Sequence, residues 1–287
     1  MKADLRMESI QVLRSVSALR EFVALQRGKG LRVGLVPTMG ALHEGHLTLV
    51  REGFGHADVM IATIFVNPTQ FAPTEDFAAY PRTQEDDIRK LSQTGAQAVF
   101  CPDASEMYPQ GFSTSVSVKG VSEPLEGESR PHFFGGVATV VTKLLLQALP
   151  DVALFGEKDY QQLQVIKRLV IDLDIPVKII GVATVRDRDG LALSSRNAYL
   201  TQEQMKSAAV LNRVLFDMAD QIRDGGDLGA IRQAGMERIM AAGFDSIDYL
   251  EIRDASTLMP VDGRNNALRI LVAAKIGKTR LIDNVAA

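Results

Sequence analysis

Leu31-Arg32-Val33-Gly34-Leu35-Val36-Pro37-Thr38-Met39-Gly40-Ala41-Leu42-His43-Glu44-Gly45-His46 decides how this chain is read. A short aliphatic run stops at a proline, and glycines and histidines then lead into a helix-length stretch. The next apolar run, Val59 to Val66, closes at Asn67-Pro68. Short apolar runs separated by helices imply parallel strands buried on both faces.

Outward from that stretch, the alternation repeats. Leu13, Leu19, Phe22 and Val23 set a helical period across 10–25, stopped by Gly28-Lys29-Gly30. Thr83 opens a helix to Gly95, a strand follows at 98–100, and a long helix is expected at 137–149. Further strands are expected at 151–155 and, buried, at 177–183, with a helix over 161–173 between them. The expectation is a Rossmann-like α/β domain over 1–183, a parallel sheet with helices on both faces. Beyond residue 184 the texture changes to helices at 201–222 and 227–242, then strands at 247–252, 268–274 and 279–283. That order implies a small α+β C-terminal domain over 184–287, a lid.

Composition narrows the function. Of 287 residues, 46% are apolar and 23% charged, a globular balance with room for a sizeable core. Lys and Arg number 32 against 35 Asp and Glu, a net charge of -3 without a long basic run, which disfavours nucleic acid as partner. The start, Met1 to Arg6, lacks an apolar leader, and no 18 apolar residues run together, so a cytoplasmic protein with no membrane partner is expected. The single cysteine, Cys101, allows no internal disulfide and reads as a small hydrophobe.

Chemistry concentrates in three turns. In an open α/β sheet, ligands bind at the carboxyl ends of strands, where the next helix offers N–H groups and a positive dipole end to phosphate. His43 and His46, one helical turn apart, suit phosphate oxygens there, and Gly40 and Gly45 let a nucleotide lie close to the backbone. Zinc is the competing reading. The metalloprotease motif needs its second histidine at position 47, which is Leu47, and only His56 and His132 remain as further nitrogen ligands. The second turn is Phe155-Gly156-Glu157-Lys158-Asp159-Tyr160-Gln161-Gln162. Lys158 offers a point charge to phosphate and Asp159 an acceptor for ribose or a metal, although a solvated helix cap has the same look. The third is Leu191-Ala192-Leu193-Ser194-Ser195-Arg196-Asn197, after Arg186-Asp187-Arg188-Asp189-Gly190. Two hydroxyls beside a guanidinium on flexible chain suit closure over a triphosphate, or make a plain surface loop.

Together the turns resemble the adenylate-forming nucleotidyltransferase superfamily. The closer resemblance is to the pantothenate synthetase (pantoate-beta-alanine ligase) family, carried by five stretches in that family's order: Val36 to His46, Ile64 to Phe71, Tyr80-Pro81-Arg82-Thr83, Phe155 to Gln162 and Gly190 to Asn197. The resemblance implies an ATP- and Mg2+-dependent ligase that makes pantoyl adenylate and passes the acyl group to beta-alanine. It implies His43 and His46 on the phosphates, with His46 as proton donor, and Lys158, Ser194, Ser195 and Arg196 on the α-phosphorus and leaving pyrophosphate. ATP would lie along Met39, Gly40, Ala41, Leu42, His43, Glu44, Gly45 and His46, along Gly156, Glu157, Lys158 and Asp159, and beside Val185 and Leu193. Gln70, Gln162 and Asn67 would hold pantoate and beta-alanine, and Asp86 and Asp87 would reach Mg2+ through water or else serve as an acidic first helical turn. A homodimer is also implied.

One stretch departs from the family. Where many members read Arg-Pro-x-His-Phe-x-Gly-Val, this chain reads Arg130-Pro131-His132-Phe133-Phe134-Gly135-Gly136-Val137, so no histidine role passes to His132. Two other functions stay open: a nucleotidylyltransferase acting on a phosphate-bearing acceptor, which calls for more basic residues in the acceptor pocket, and a non-catalytic nucleotide sensor.

Overall fold

Val33–Val36, entirely buried, is the middle of the first of two compact units. The computed structural model describes residues 10–71, 77–78, 80–261, 263 and 266–287. The opening Met1 to Arg6 lies outside the described residues. In chain order the strands are β1 (Gln11–Leu13), β2 (Val33–Val36), β3 (Val59–Thr63), β4 (Ala98–Phe100), β5 (Val152–Gly156), β6 (Lys178–Val182), β7 (Ser246–Asp254), β8 (Leu268–Ile276) and β9 (Thr279–Ala286). The helices are α1 (Val16–Gly28), α2 (Glu44–Gly53), α3 (Gln84–Ser92), α4 (Ala104–Met107), α5 (Glu126–Ser129), α6 (Phe133–Ala148), α7 (Tyr160–Asp172), α8 (Gln202–Ala208), α9 (Val210–Arg223) and α10 (Leu228–Ala241).

The first unit is a six-stranded parallel sheet in the order β1-β4-β3-β2-β5-β6. The chain runs outward from β2 through β3 to β4, then returns to β2's other side for β5 and β6. β2 and β5 therefore flank the point where strand order reverses, the usual ligand crevice of such sheets. Val36, Leu42, Leu47, Val50, Met60, Ala62 and Leu154 form one apolar cluster beside it. α6 is buried along most of its length, as its apolar sequence requires, and stops where Leu149 turns left-handed at φ 45°.

Several expectations shift. The stretch read as helical from residue 10 begins instead with β1, because Ser15 caps α1 by accepting from the Ala18 N–H at 3.2 Å. β6 is half-exposed, not buried, since it pairs with β5 alone at the sheet edge. The helix expected at 201–222 breaks at Ala209 into α8 and α9.

The second unit comprises Ala183–Ala287 together with Lys119–Pro131 and Glu157–Gln164, two segments that the sequence reading assigned to 1–183. Its antiparallel sheet β7-β8-β9 packs with α9 and α10 around Leu211, Val214, Leu215, Ile239, Ile270 and Val272. The early segments group here because polar contacts hold them. Glu126 on α5 pairs with Arg280 at 2.6 Å and accepts from the Tyr249 hydroxyl at 3.0 Å. Burial pushes the Tyr249 phenol well above its ordinary value, so it donates as a neutral group. The Gln161 amide donates to the Val121 and Pro124 carbonyls and accepts from the Glu126 N–H. Among the described residues no helix is long and apolar enough to cross a membrane.

Candidate active site

The ends of β2 and β3 are tied by Thr38. Its hydroxyl donates to the Thr63 carbonyl at 2.5 Å, and its amide donates to the Thr63 hydroxyl at 3.2 Å. Met39 follows, half-buried, and the chain then turns through Gly40 at φ 84° and Ala41 at φ 50°, two successive left-handed residues. A β-carbon at Gly40 would meet the Asp87 carboxylate and the Ile64 side chain, both at 3.2 Å, so space and φ together call for glycine.

His43 is the N-cap of α2. Its Nδ1 accepts from the Gly45 N–H at 3.2 Å, while His46 Nδ1 accepts from the His43 N–H at 3.3 Å, a capping box built of imidazoles. The ring centroids are 4.1 Å apart. Because both Nδ1 atoms accept, each neutral ring carries its hydrogen on Nε2, the tautomer that donates outward from the helix end. The Gly45 N–H is capped by His43, and the N–H groups of Ala41 and Leu42, ahead of the helix, are taken by Asp87.

Asn67 is fully buried and committed to the protein. Its Oδ1 accepts from the Thr69 N–H, the Thr69 hydroxyl and the Tyr108 hydroxyl, and its Nδ2 donates to the Gly136 carbonyl at 3.2 Å and Gln70 Oε1 at 2.9 Å. An amide N–H can only donate and a carbonyl can only accept, so Thr69 and Gly136 fix which way the Asn67 amide faces. That in turn fixes Gln70 with Oε1 toward Asn67. Gly136 permits this approach of α6, because a β-carbon there would sit 2.3 Å from the Thr69 carbonyl. His132 is exposed, and Phe133 opens α6 with its ring 5.1 Å from that of Phe134.

In the second unit, Asn284 donates to the Glu157 and Lys158 carbonyls at 2.9 and 2.8 Å. Arg269 reaches Asn284 Oδ1 at 2.7 Å and Glu157 at 3.2 Å, and its guanidinium lies 4.0 Å over the Tyr160 ring. Lys158 lies 3.7 Å from Asp159, and Gln162 is half-buried on α7. The segment before Ser194, expected to be flexible, is a hydrogen-bonded hairpin. The Leu193 amide donates to Val185, and Asp187 accepts from the amides of Asp189 and Leu191. Arg186 forms a bidentate pair with buried Asp283 at 2.6 and 2.9 Å. Ser194 then caps a short turn, Ser195–Tyr199, by accepting from the Arg196 N–H. Arg269, Asp283 and Asn284 escaped the sequence reading, although a charged or amide residue within an otherwise apolar strand run is a visible signal.

The acidic pair is engaged by the protein rather than presented as direct ligands for an ion. Asp87 is fully buried with both oxygens accepting from the protein, and Asp86 is paired with Arg89 and, at 2.7 Å, with Lys90. No group of three His, Cys, Asp or Glu placed to share a metal occurs among the described residues. Cys101 is buried and its thiol is pushed up to about 11, the behaviour of a structural cysteine.

An open parallel sheet with a histidine-capped helix beside its switch point places this chain among doubly-wound α/β proteins with a ligand crevice at the strand carboxyl ends. A family model described as pantoate-beta-alanine ligase matches residues 11–286. The chain belongs to that family and is an amide-bond-forming ligase of pantothenate biosynthesis that uses ATP. It is 57% identical over 277 residues to the pantothenate synthetase of Paramagnetospirillum magneticum, covering 96% of this chain and 98% of that protein. The crystal structure of pantothenate synthetase from Thermus thermophilus matches with a TM-score of 0.91 at 44% identity, covering 96% of this chain and 99% of that one. A Francisella tularensis pantoate-beta-alanine ligase, complexed with beta-gamma ATP and beta-alanine, matches with a TM-score of 0.79 at 34% identity, covering 96% and 97%.

Proposed function

We propose that this chain joins pantoate to beta-alanine in two steps. A pantoate carboxylate oxygen attacks the α-phosphorus of ATP and pyrophosphate leaves; the beta-alanine amine then attacks the acyl carbon and AMP leaves, giving pantothenate. The observation that carries this reading is the imidazole capping box at the carboxyl end of β2, beside the strand-order reversal, in a chain matched to the ligase family along nearly its whole length.

The physical difficulty is bringing a carboxylate to an anionic triphosphate. His43 and His46 donate hydrogen bonds through Nε2–H to the phosphate oxygens, which is the part taken here by the His46 that the resemblance marks as proton donor, while Lys158, Ser194, Ser195 and Arg196 stabilise charge moving onto pyrophosphate. One preorganised donor of this kind contributes about 2.7–4 kcal/mol to transition-state stabilisation by analogy with oxyanion sites. Met39, the 40–46 turn, 156–159, Val185 and Leu193 bind the nucleotide. Gln70 and Gln162 recognise pantoate, and Asn67 orients Gln70 rather than touching the acid. Mg2+ would enter with the nucleotide and offset part of the triphosphate charge, with Asp86 and Asp87, already engaged by Arg89, Lys90 and the 41–42 amides, reaching it at most through water. The enzyme acts as a cytosolic homodimer without nucleic-acid or membrane partners.

Pantoate-dependent exchange of labelled pyrophosphate into ATP, without beta-alanine, tests the first step. Exchange is expected. Its absence in folded protein would count against the reading: ATP binding alone would favour a sensor, and nucleotide transfer to a phosphate ester a nucleotidylyltransferase.

A further inference from the structure

We propose that Asp87 is a positioning residue of the active site, its carboxylate filling the concave pair of N–H groups at Ala41 and Leu42 and thereby fixing the turn that delivers His43 and His46. The proposal rests on the reading of these histidines as phosphate donors. Successive N–H groups in left-handed turns form concavities that attract anions. Here the anion is the chain's own. Asp87 Oδ2 accepts from the Ala41 N–H at 2.9 Å and the Thr83 hydroxyl at 3.1 Å, and Oδ1 accepts from the Leu42 N–H at 2.8 Å. Lys90, one turn further along α3, donates to the Leu42 carbonyl at 2.9 Å, so α3 grips both sides of that residue.

Three donors aim hydrogens at the two oxygens, and the side chain is fully buried. A cation at those oxygens would face the positive ends of the same dipoles. An asparagine would set an NH2 group against one of the two backbone N–H groups, so the position calls for an acceptor on both sides. From Leu42 the order passes directly into the cap, where the His43 N–H meets His46 Nδ1 and the Gly45 N–H meets His43 Nδ1. Ala41, a left-handed residue with a β-carbon, keeps its conformation only while something outside the turn holds it. Loosening Asp87 releases the ring orientations without removing any group that touches substrate.

Asp87→Asn separates this role from a metal or purely structural one. The expected result is a fall of at least about 30-fold in kcat for pyrophosphate exchange, with the pantoate KM within about threefold and the half-maximal Mg2+ concentration within about twofold of wild type. In parallel, 15N-histidine NMR without nucleotide or pantoate should show His43 and His46 as Nε2–H tautomers in the wild type and averaged tautomers in the variant. Wild-type kcat, or an unchanged spectrum, overturns the proposal. So does a tenfold rise in the Mg2+ requirement with kcat restored at high Mg2+, which would make Asp87 a metal ligand. If Asp87→Asn does not fold, Thr83→Val, which removes one donor and leaves both backbone bonds, should lower kcat about three- to tenfold at unchanged KM, and an unchanged kcat overturns the proposal. The NMR arm needs no catalysis, so a wild-type protein without exchange would sink the functional reading while the tautomers still judge Asp87.

Discussion

In the first unit, the 38–46 segment is held by small polar groups on its own backbone: the Thr38 hydroxyl, two imidazole nitrogens and the Asp87 carboxylate. In the second, side chains of β8 and β9 anchor the loops: Arg269 and Asn284 hold the 157–158 turn, and Asp283 pairs with Arg186 of the 185–194 hairpin. The first arrangement places groups to within a hydrogen-bond length using few rotatable bonds. The second fixes loops through buried charge, which is costly to disrupt because one partner is left desolvated. Substitutions in the first unit should therefore act on rate, and anchor substitutions in the second on stability and rate together.

The largest effect should come from removing a donor. His46→Ala or Lys158→Ala is expected to cut turnover at least about 100-fold with an unchanged circular-dichroism spectrum; near-wild-type rates in both would misplace the site. Next, Asn67→Asp replaces the donor facing Gly136 and Gln70 by an acceptor, so Gln70 should turn over and the pantoate KM rise about 30-fold, with the ATP KM little changed. Isothermal titration with pantoate checks this directly. Asn284→Ala should lower stability by about 1–3 kcal/mol, the usual cost of leaving buried polar partners unmet, and lower kcat as well. Denaturant unfolding and steady-state rates on one preparation would show whether the two losses travel together, as the comparison requires.

The smallest effect concerns pH in the second unit. Hydrogen bonds from Ser256 and Thr257 hold the Asp254 carboxyl well below its ordinary range. A folded value below the unfolded value of about 3.9 stabilises the protein above that pH, and the benefit fades as pH falls toward the folded value. The Tm difference between wild type and Asp254→Asn should thus shrink from pH 6 toward pH 3. A constant difference would mean that the carboxylate charge does not matter.

How much of this was legible follows from the range of each cause. The parallel sheet and the 37–46 turn were readable because aliphatic runs, glycines and the His-x-x-His spacing act within one strand or one helical turn. Ser15 as the true start of α1 was a local signal overridden by apolar period. β6 read as buried because its composition resembles an interior strand, whereas its exposure depends on place in the sheet. Asp87, readable as an acidic residue at a helix start or one reaching Mg2+ through water, gave no sign that its partners are amides far back in the chain. Arg269, Asp283 and Asn284 stand out as polar residues in apolar runs, but their partners at 157–158 and 186 lie 97 to 127 residues away, which no short window encodes.

The most direct test of the central claim follows an oxygen atom. With pantoate labelled with 18O in its carboxylate, turnover in the presence of ATP and beta-alanine should place one 18O in each AMP, because the oxygen that attacked phosphorus leaves with the nucleotide. Unlabelled AMP, or label found in inorganic phosphate, would contradict an acyl adenylate.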